Sequence, residues 1–322
     1  MIGTQGSPYL LPGEWQFAFG YRALNSQQHY QGTKPNNEIT SGVVNSQHIV
    51  TLVGTYAPGQ QWTVSVDVPL VYTGFSFLRP DGDGTVSRDV MRGKGLGDIS
   101  FSGRYWLLDC EKHQTQNVAV GLGVKVPTGR FGAKDDYRDL MGVRRVLTID
   151  QSIQPGDGGW GIVCDVQAFK IVGNTTFFAS GSYLINPRNT NGAPSIIGAL
   201  GLGSIPMFAN EAVNSVPDQY LARAGAVAPI KQVSGLGFSL AGRIEGLPPT
   251  DLIGGSDGFR RPGYVVFVEP GFVYSHGAET WSISTPITVH RRVQDSPASI
   301  RVEDATIADV VFLFTYSRKF SK

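Results

Sequence analysis

Five histidines, His29, His48, His113, His276 and His290, are the side chains of this chain best suited to proton transfer near neutral pH. None stands in an HExxH or comparable metal-ligating spacing. His29, His113 and His276 fall in segments of loop or turn composition and read as solvated. A hydrolase would set a serine against a histidine and orient the ring with a third group. Ser284 and Ser282 share a chain face with His290 but precede it by six and eight residues, too far along an extended chain for a hydrogen bond. Cys110 and Cys164 make neither a CxxC pair nor a disulfide framework. No catalytic residue, metal or cofactor is expected, and hydrolysis is the weakest alternative.

Charge is the chemistry that remains. Asp67 lies between Val66 and Val68, with Ser65 and Thr63 two and four positions back. Arg104 stands in the same way to Ser102 and Ser100, and Lys125 to Gly123 and Gly121. The pattern puts charge and small polar residues on one face of an extended chain and apolar residues on the other. Its basic members are Arg22, Arg104, Lys125, Arg223 and Arg243. Its acidic members are Glu14, Asp67, Asp98, Asp165, Glu245, Glu269 and Asp309. Such residues either pair with one another and fill an enclosed space or line a wet pore and bias what passes. The mixture of signs argues against strong selectivity for anions or cations.

The elements that must hold these residues are strands. Trp15, Phe17, Phe19, Tyr21 and Ala23 alternate with Gln16, Ala18, Gly20 and Arg22, and Trp62 to Tyr72 and Val118 to Val126 repeat the period of two. Composition agrees: Gly is 41 of 322 residues, against an ordinary share of ~7%, and charged residues are 16%. A net charge of +1 offers no field for a polyanion, so no nucleic-acid partner is expected. Runs of about 12 residues at ~3.3 Å, tilted ~40°, stand roughly 30 Å tall, enough for the ~25 Å apolar band of a membrane barrel. Aromatics at the strand ends, among them Trp15, Tyr21, Tyr56, Trp62, Tyr72, Trp160, Tyr264, Tyr274 and Trp281, suit the two lipid–water interfaces. The mean hydropathy of −0.07 is no objection, because an alternating strand averages near zero.

Strands are placed at 13–24, 45–57, 61–72, 97–109, 116–127, 159–171, 174–186, 217–229, 235–247, 263–275, 279–292 and 304–320. Connections between them alternate long and short, as in an up-and-down barrel with long outer loops and short periplasmic turns. The expected architecture is all-β: a transmembrane antiparallel up-and-down β-barrel of about 12 strands, formed by residues 13–320 and preceded by a short periplasmic segment, 1–12. That segment could tuck into the lumen as a small stopper. Val146–Gln154 would be a thirteenth strand but breaks the parity, and is placed inside the third outer loop.

Several stretches resemble a known family. Gly95-Leu-Gly-Asp-Ile-Ser-Phe-Ser-Gly-Arg-Tyr105 and Val120-Gly-Leu-Gly-Val-Lys-Val-Pro-Thr-Gly129 look like the outer-membrane proteins of the phenol-degradation meta-pathway family. Ser65-Val-Asp-Val-Pro69-Leu-Val-Tyr72 and Gln154-Pro-Gly-Asp-Gly-Gly-Trp160 fit the same pattern. The resemblance implies a bacterial outer-membrane protein that takes up aromatic or other hydrophobic small molecules, and it brings no catalytic residues. The expected partners are outer-membrane lipid, a small-molecule solute and, through the aromatic last strand ending near Phe320, the barrel-assembly machinery.

The favoured expectation is therefore a passive channel or transporter. The alternatives are a structural or interaction barrel whose lumen is closed by ion pairs, and an outer-membrane hydrolase. Apolar residues placed in the outer loops, Phe75, Phe77 and Phe208 among them, could offer a solute an apolar point of entrance; packing of the loops over the barrel mouth is the competing explanation.

Overall fold

In a bilayer, a strand's backbone groups must all be paired, because no water is present to satisfy an open edge. Here the alternating segments pair into one closed antiparallel ring. The computed structural model describes residues 9–37, 42–81, 83–300 and 302–321. Its wall is built from β1 (Trp15–Ser26), β2 (Val44–Tyr56), β3 (Trp62–Pro80), β4 (Val86–Leu96), β5 (Ile99–Trp106), β6 (Gln116–Val126) and β7 (Gly161–Val172). It continues through β8 (Thr175–Ile185), β9 (Gln219–Pro229), β10 (Leu236–Leu247), β11 (Gly263–His276), β12 (Glu279–Ser284), β13 (Ile287–Val293) and β14 (Val311–Phe320). Each stave pairs with the next, and β14 returns to β1 with Trp15 opposite Phe320.

The fourteen strands make twelve staves, because two staves are broken. β4 and β5 are one stave interrupted at Gly97–Asp98, and both pair with β3. β12 and β13 are another, interrupted at Thr285–Pro286, and both pair with β11. Proline has no N–H for the ladder, which accounts for the second break. A bulge follows it: Phe267 faces Thr288 while Val266 faces His290, so Val289 is the extra residue.

The period of two sorts the side chains as the sequence indicates. Phe17 is 56% exposed on the outside of the wall, whereas Gln16 beside it is 7% exposed on the inside. Leu52, Leu70, Phe101, Leu122, Phe177 and Leu240 continue the outward apolar band. Aromatic girdles bound it. At the short-turn end Trp15 meets Tyr56 at 4.5 Å, Trp62 meets Tyr105 at 4.9 Å and Trp281 meets Tyr316 at 5.5 Å between ring centres. At the long-loop end His48 lies between Tyr21 and Tyr72 at 6.1 and 6.4 Å, and His290 stacks obliquely on Tyr264 at 5.7 Å. The ten steps from Trp62 to Tyr72 along the tilted β3 span roughly 25 Å along the membrane normal.

The connections keep the long–short alternation. Two of the short ones are two-residue loops led by Gly173 (φ 58°) and Gly277 (φ 59°), a backbone region open to glycine at little cost. One long connection differs from the sequence reading. The segment 73–96 is mostly hairpin rather than loop, because β3 runs on to Pro80 and β4 returns beside it. The Val146–Gln154 stretch does lie inside the third long connection: Arg144–Thr148 pairs with Lys134–Arg138 in a separate small sheet, followed by a 3-10 turn at Gln151–Ile153.

Candidate functional site: the lumen and its closures

The inward face of the wall carries charge in two networks. On one side Arg22 of β1 reaches Glu245 of β10, four staves away, with Nη2–Oε1 at 2.6 Å and Nη1–Oε2 at 3.1 Å. Arg243 binds the same carboxylate at 2.7 Å and approaches Glu269 at 3.7 Å. Glu269 in turn takes Arg223 at 2.8 Å and the Ser284 hydroxyl at 2.9 Å. Three arginines and two glutamates thus form a chain across the lumen. On the other side Arg104 holds Asp165 at 2.8 Å, and Asp67 accepts from Ser100 at 3.3 Å and joins no ion pair among the described residues. No ring of one sign is formed, the arrangement a charge-selective pore would use. Ser65, Ser102, Ser180, Ser182, Ser239 and Thr315 share the inward phase with them.

Not every sequence-predicted lumen charge is there. Glu14 precedes β1 at the short-turn rim, where its carboxylate accepts the Leu11 N–H at 2.8 Å. Asp309 precedes β14 and is exposed at the long-loop end, bound to Arg291 at 2.7 Å. The period of two puts His290 on the inward face with Ser282 and Ser284; the bulge at Val289 turns it outward instead, with Nε2 3.4 Å from the Tyr264 hydroxyl. Lys319 is an inward cation outside the predicted set, at the opposite end of the barrel. Its Nζ donates to the Tyr9 carbonyl at 2.7 Å.

That contact belongs to a stopper at the short-turn mouth. The Tyr9 ring packs edge-on against the inward Trp106 and Phe169 at 5.0 and 5.4 Å. Its hydroxyl donates to the His113 carbonyl and accepts from Asn117, both at 2.8 Å. Residues 1–8 of the N-terminal segment lie outside the described residues.

A cap closes the other mouth. The third long connection dips inward, and Ile149, Ile153 and Tyr137 are buried with Phe77 and Met91 in one apolar cluster, with Phe75 at its edge. The Ile153 carbonyl accepts from Thr73 at 2.8 Å, and Asn45 donates to Ser152 at 2.8 Å, so the turn is tied to the inner wall. Asp150 receives both Arg261 nitrogens at 2.9 and 3.0 Å, and Arg260, completely buried, binds Asp251 and Ser215. Burial alone would push the Asp150 carboxyl up; the Arg261 guanidinium outweighs it and holds the group below its ordinary value. Phe75 and Phe77 therefore stand on a strand and anchor the cap from inside, a correction to their placement in an outer loop; the continued β3 pairing turns them inward. Phe208 lies apart in a 3-10 turn of the fourth long connection, outside this cluster.

The wall is weakest at Gly97–Asp98. Above the break β4 has a strand partner only in β3; below it β5 pairs with both β3 and β6. The space beside β4 is filled by two loop strings rather than a strand. The Asp98 carboxylate accepts the Gly129 N–H at 2.8 Å on one oxygen and the Asp157 N–H at 3.0 Å on the other, with Lys125 at 3.8 Å. Lys125 also pairs with Asp157. Thr128 donates to the Gly97 carbonyl and accepts from the Ile99 N–H. Gly129 and Gly156 cross so closely that a side-chain carbon on either would lie within 2.7 Å of the other's backbone, which is why both are glycine. Asp98 is thus a clasp on the wall and not a lining charge. The stretches around Gly97, Thr128 and Asp157 are those that carry the family resemblance, and they meet here. Directly below, the bilayer-facing wall has an apolar groove of about 720 Å³ lined by Val64, Val66, Phe101, Leu122 and Val124 among others.

No family model matches the chain. Among solved structures it is similar to an outer-membrane channel from Pseudomonas putida F1, at 12% identity over 99% of this chain and 100% of that one, with a TM-score of 0.60. Weaker likenesses are the toluene transporter TbuX of Ralstonia pickettii (10% identity, 97% and 90% covered, TM-score 0.40) and the monoaromatic hydrocarbon channel CymD (8% identity, 97% and 90% covered, TM-score 0.42). The first shows a shared fold; the other two are too distant to argue from.

Proposed function

We propose that the protein is a bacterial outer-membrane channel for the passive passage of small hydrophobic or aromatic molecules, as the resemblance to the phenol-degradation family implies. The apolar band between two aromatic girdles supports the membrane setting. The observation that carries the reading is the broken stave. At Gly97–Asp98 the lumen is separated from the bilayer by loop backbone and one carboxylate clasp instead of a strand ladder. An apolar molecule moving between lumen and membrane there needs that clasp to part and no ladder to unzip. It then meets the apolar groove under Phe101. A polar solute gains nothing from this route and meets a cap, a stopper and crossing ion pairs on the axial one.

The test is Asp98→Ala, which removes two hydrogen bonds to a charged group worth about 1.5–3 kcal/mol each. Uptake of an aromatic solute into phospholipid liposomes should rise, with uptake of a small sugar unchanged. A parallel rise for both would mean a general leak, and absence of aromatic uptake by the wild-type barrel would refute the channel reading.

A barrel with a closed lumen is the second reading. The pairing of Arg22, Arg223 and Arg243 with Glu245 and Glu269 favours it. Uptake of the aromatic solute separates the two: a closed barrel passes none, and in neither reading does the axial route carry current until Tyr9 or the cap is displaced.

A further inference from the structure

At the long-loop edge of the apolar band, on the bilayer side of the wall, three side chains form a hydrogen-bonded line. Ser46 and His48 are two residues apart on the outward face of β2, with Ser46 Oγ 3.4 Å from His48 Nε2. On the neighbouring strand the Tyr21 hydroxyl lies 2.7 Å from His48 Nδ1. We propose that Ser46 and His48 are the catalytic residues, and Tyr21 the positioning residue, of a hydrolase site for acyl esters of anionic lipids in the outer leaflet.

The surroundings suit that chemistry. Cross-strand partners on one face lie about 4.5–5.5 Å apart between Cβ atoms. The row through Ser46 reads Asn25, Ser46, Gly74, Arg92, and the row through His48 reads Ala23, His48, Tyr72, Lys94. Asn25 is exposed beside Ser46 and brings an amide donor to one flank of the nucleophile. Gly74 presents no side chain on the other flank, where a Cβ would meet only the Met91 carbonyl oxygen at 3.9 Å, so a substrate carbonyl can approach there. Beyond it, Arg92 and Lys94 are exposed cations, and among the described residues neither side chain is in an ion pair or hydrogen bond. The Asp135 carboxylate close by is engaged by the Arg92 backbone N–H. The girdle residues Tyr21 and Tyr72 set this site at headgroup depth, where ester carbonyls and phosphates lie. Below it the outward faces of β1–β3 are apolar through Phe17, Leu52 and Leu70, a surface for acyl chains.

In the reaction, Ser46 Oγ attacks the ester carbonyl carbon and its proton passes to His48 Nε2. The imidazolium donates its Nδ1–H to the Tyr21 oxygen; the reactive neutral ring is the tautomer that carries its proton on Nδ1 and leaves Nε2 to accept. The tetrahedral oxyanion faces the Asn25 amide. The C–O bond to the alcohol breaks, and the leaving oxygen takes the proton from His48. Water, deprotonated by His48, then attacks the acyl-Ser46 ester; the freed Ser46 oxygen recovers the proton, and a fatty acid is released. Arg92 and Lys94 hold the lipid phosphate, and this step requires no metal or redox partner.

The full-length barrel, reconstituted in phosphatidylglycerol vesicles and checked for heat-modifiable folded migration, should release fatty acid and form a covalent adduct at Ser46 with a fluorophosphonate. Ser46→Ala and His48→Gln should lose roughly 10³-fold or more of the rate. Tyr21→Phe should lower kcat at unchanged KM. Arg92→Ala with Lys94→Ala should raise KM for phosphatidylglycerol. A folded barrel that releases no more fatty acid than Ser46→Ala and forms no adduct at Ser46 overturns the proposal. The site depends on the barrel's placement in a membrane and not on transport, so an uptake result leaves it standing or falling on its own assay.

Discussion

Among the lumen residues, Glu269 sits at the point where burial and charge meet. Its side chain is 1% exposed and it is shared by Arg223, Arg243 and Ser284. Removing one partner of a buried ion pair is far more costly than removing an exposed pair, because the remaining charge stays out of water. Glu269→Gln should therefore cost about 3–5 kcal/mol of barrel stability, read from the urea midpoint of the folded form in micelles. Arg318→Ala, which breaks the exposed pair with Glu279, should cost less than about 1 kcal/mol in the same measurement. Equal costs would show that the Glu269 network is solvated in practice, and the closed-lumen reading would lose its support.

At the scale of elements, the cap and the wall are distinct units joined by side chains. Phe77 is 2% exposed and packs edge-on to Tyr137 at 6.0 Å, with the Arg79 guanidinium 4.6 Å from its ring. Phe77→Ala should cost about 3–5 kcal/mol, spent on the cap rather than on the ring of strands. The expected result is faster proteolysis within residues 127–160, with the folded migration of the barrel retained. Phe208→Ala, outside the cluster, should leave the cleavage rate unchanged. Protection of the loop in the Phe77 variant would mean that the cap is held by Asp150–Arg261 and its neighbours alone. This contrast also separates packing from solute binding at the mouth. A loosened cap raises uptake of sugar and aromatic alike, whereas a lost binding site lowers only the aromatic.

For the whole molecule, the closed ring makes one prediction that each stave repeats. Cysteine at Phe17, Val66 or Phe314 should react with a lipid-soluble thiol reagent and resist an aqueous one. Cysteine at Gln16, Asp67 or Thr315, one residue away in each case, should prefer the aqueous reagent. All three outward positions belong to the apolar band and all three inward ones to the lumen face. Equal labelling within the pairs would contradict the two-sided wall. Cys164 is native and exposed on the outward face, so it is replaced by Ser beforehand.

The wall is legible from the order of residue types alone. A period of two is local, and each residue declares its face through its own chemistry, so Phe17, Val66 and Leu122 point outward in any register that buries Gln16 and Lys125. Loop parity then counted the staves, because a chain that closes up-and-down must return to one side. The tertiary structure alone decided what depends on contacts between distant segments. That β3 continues past Tyr72 follows from β4 pairing along its edge, and so Phe75 and Phe77 became inner-wall residues. His290 turned outward because one extra residue at Val289 reverses the phase of everything after it. Asp98 shares the alternating pattern of the lumen charges, yet two backbone N–H groups from loops 31 and 59 residues away made it a clasp. On sequence alone only His290 is weighed against a serine, and Ser46 and His48 are passed over; the pairing of β1 with β2 brings Tyr21 to the His48 imidazole.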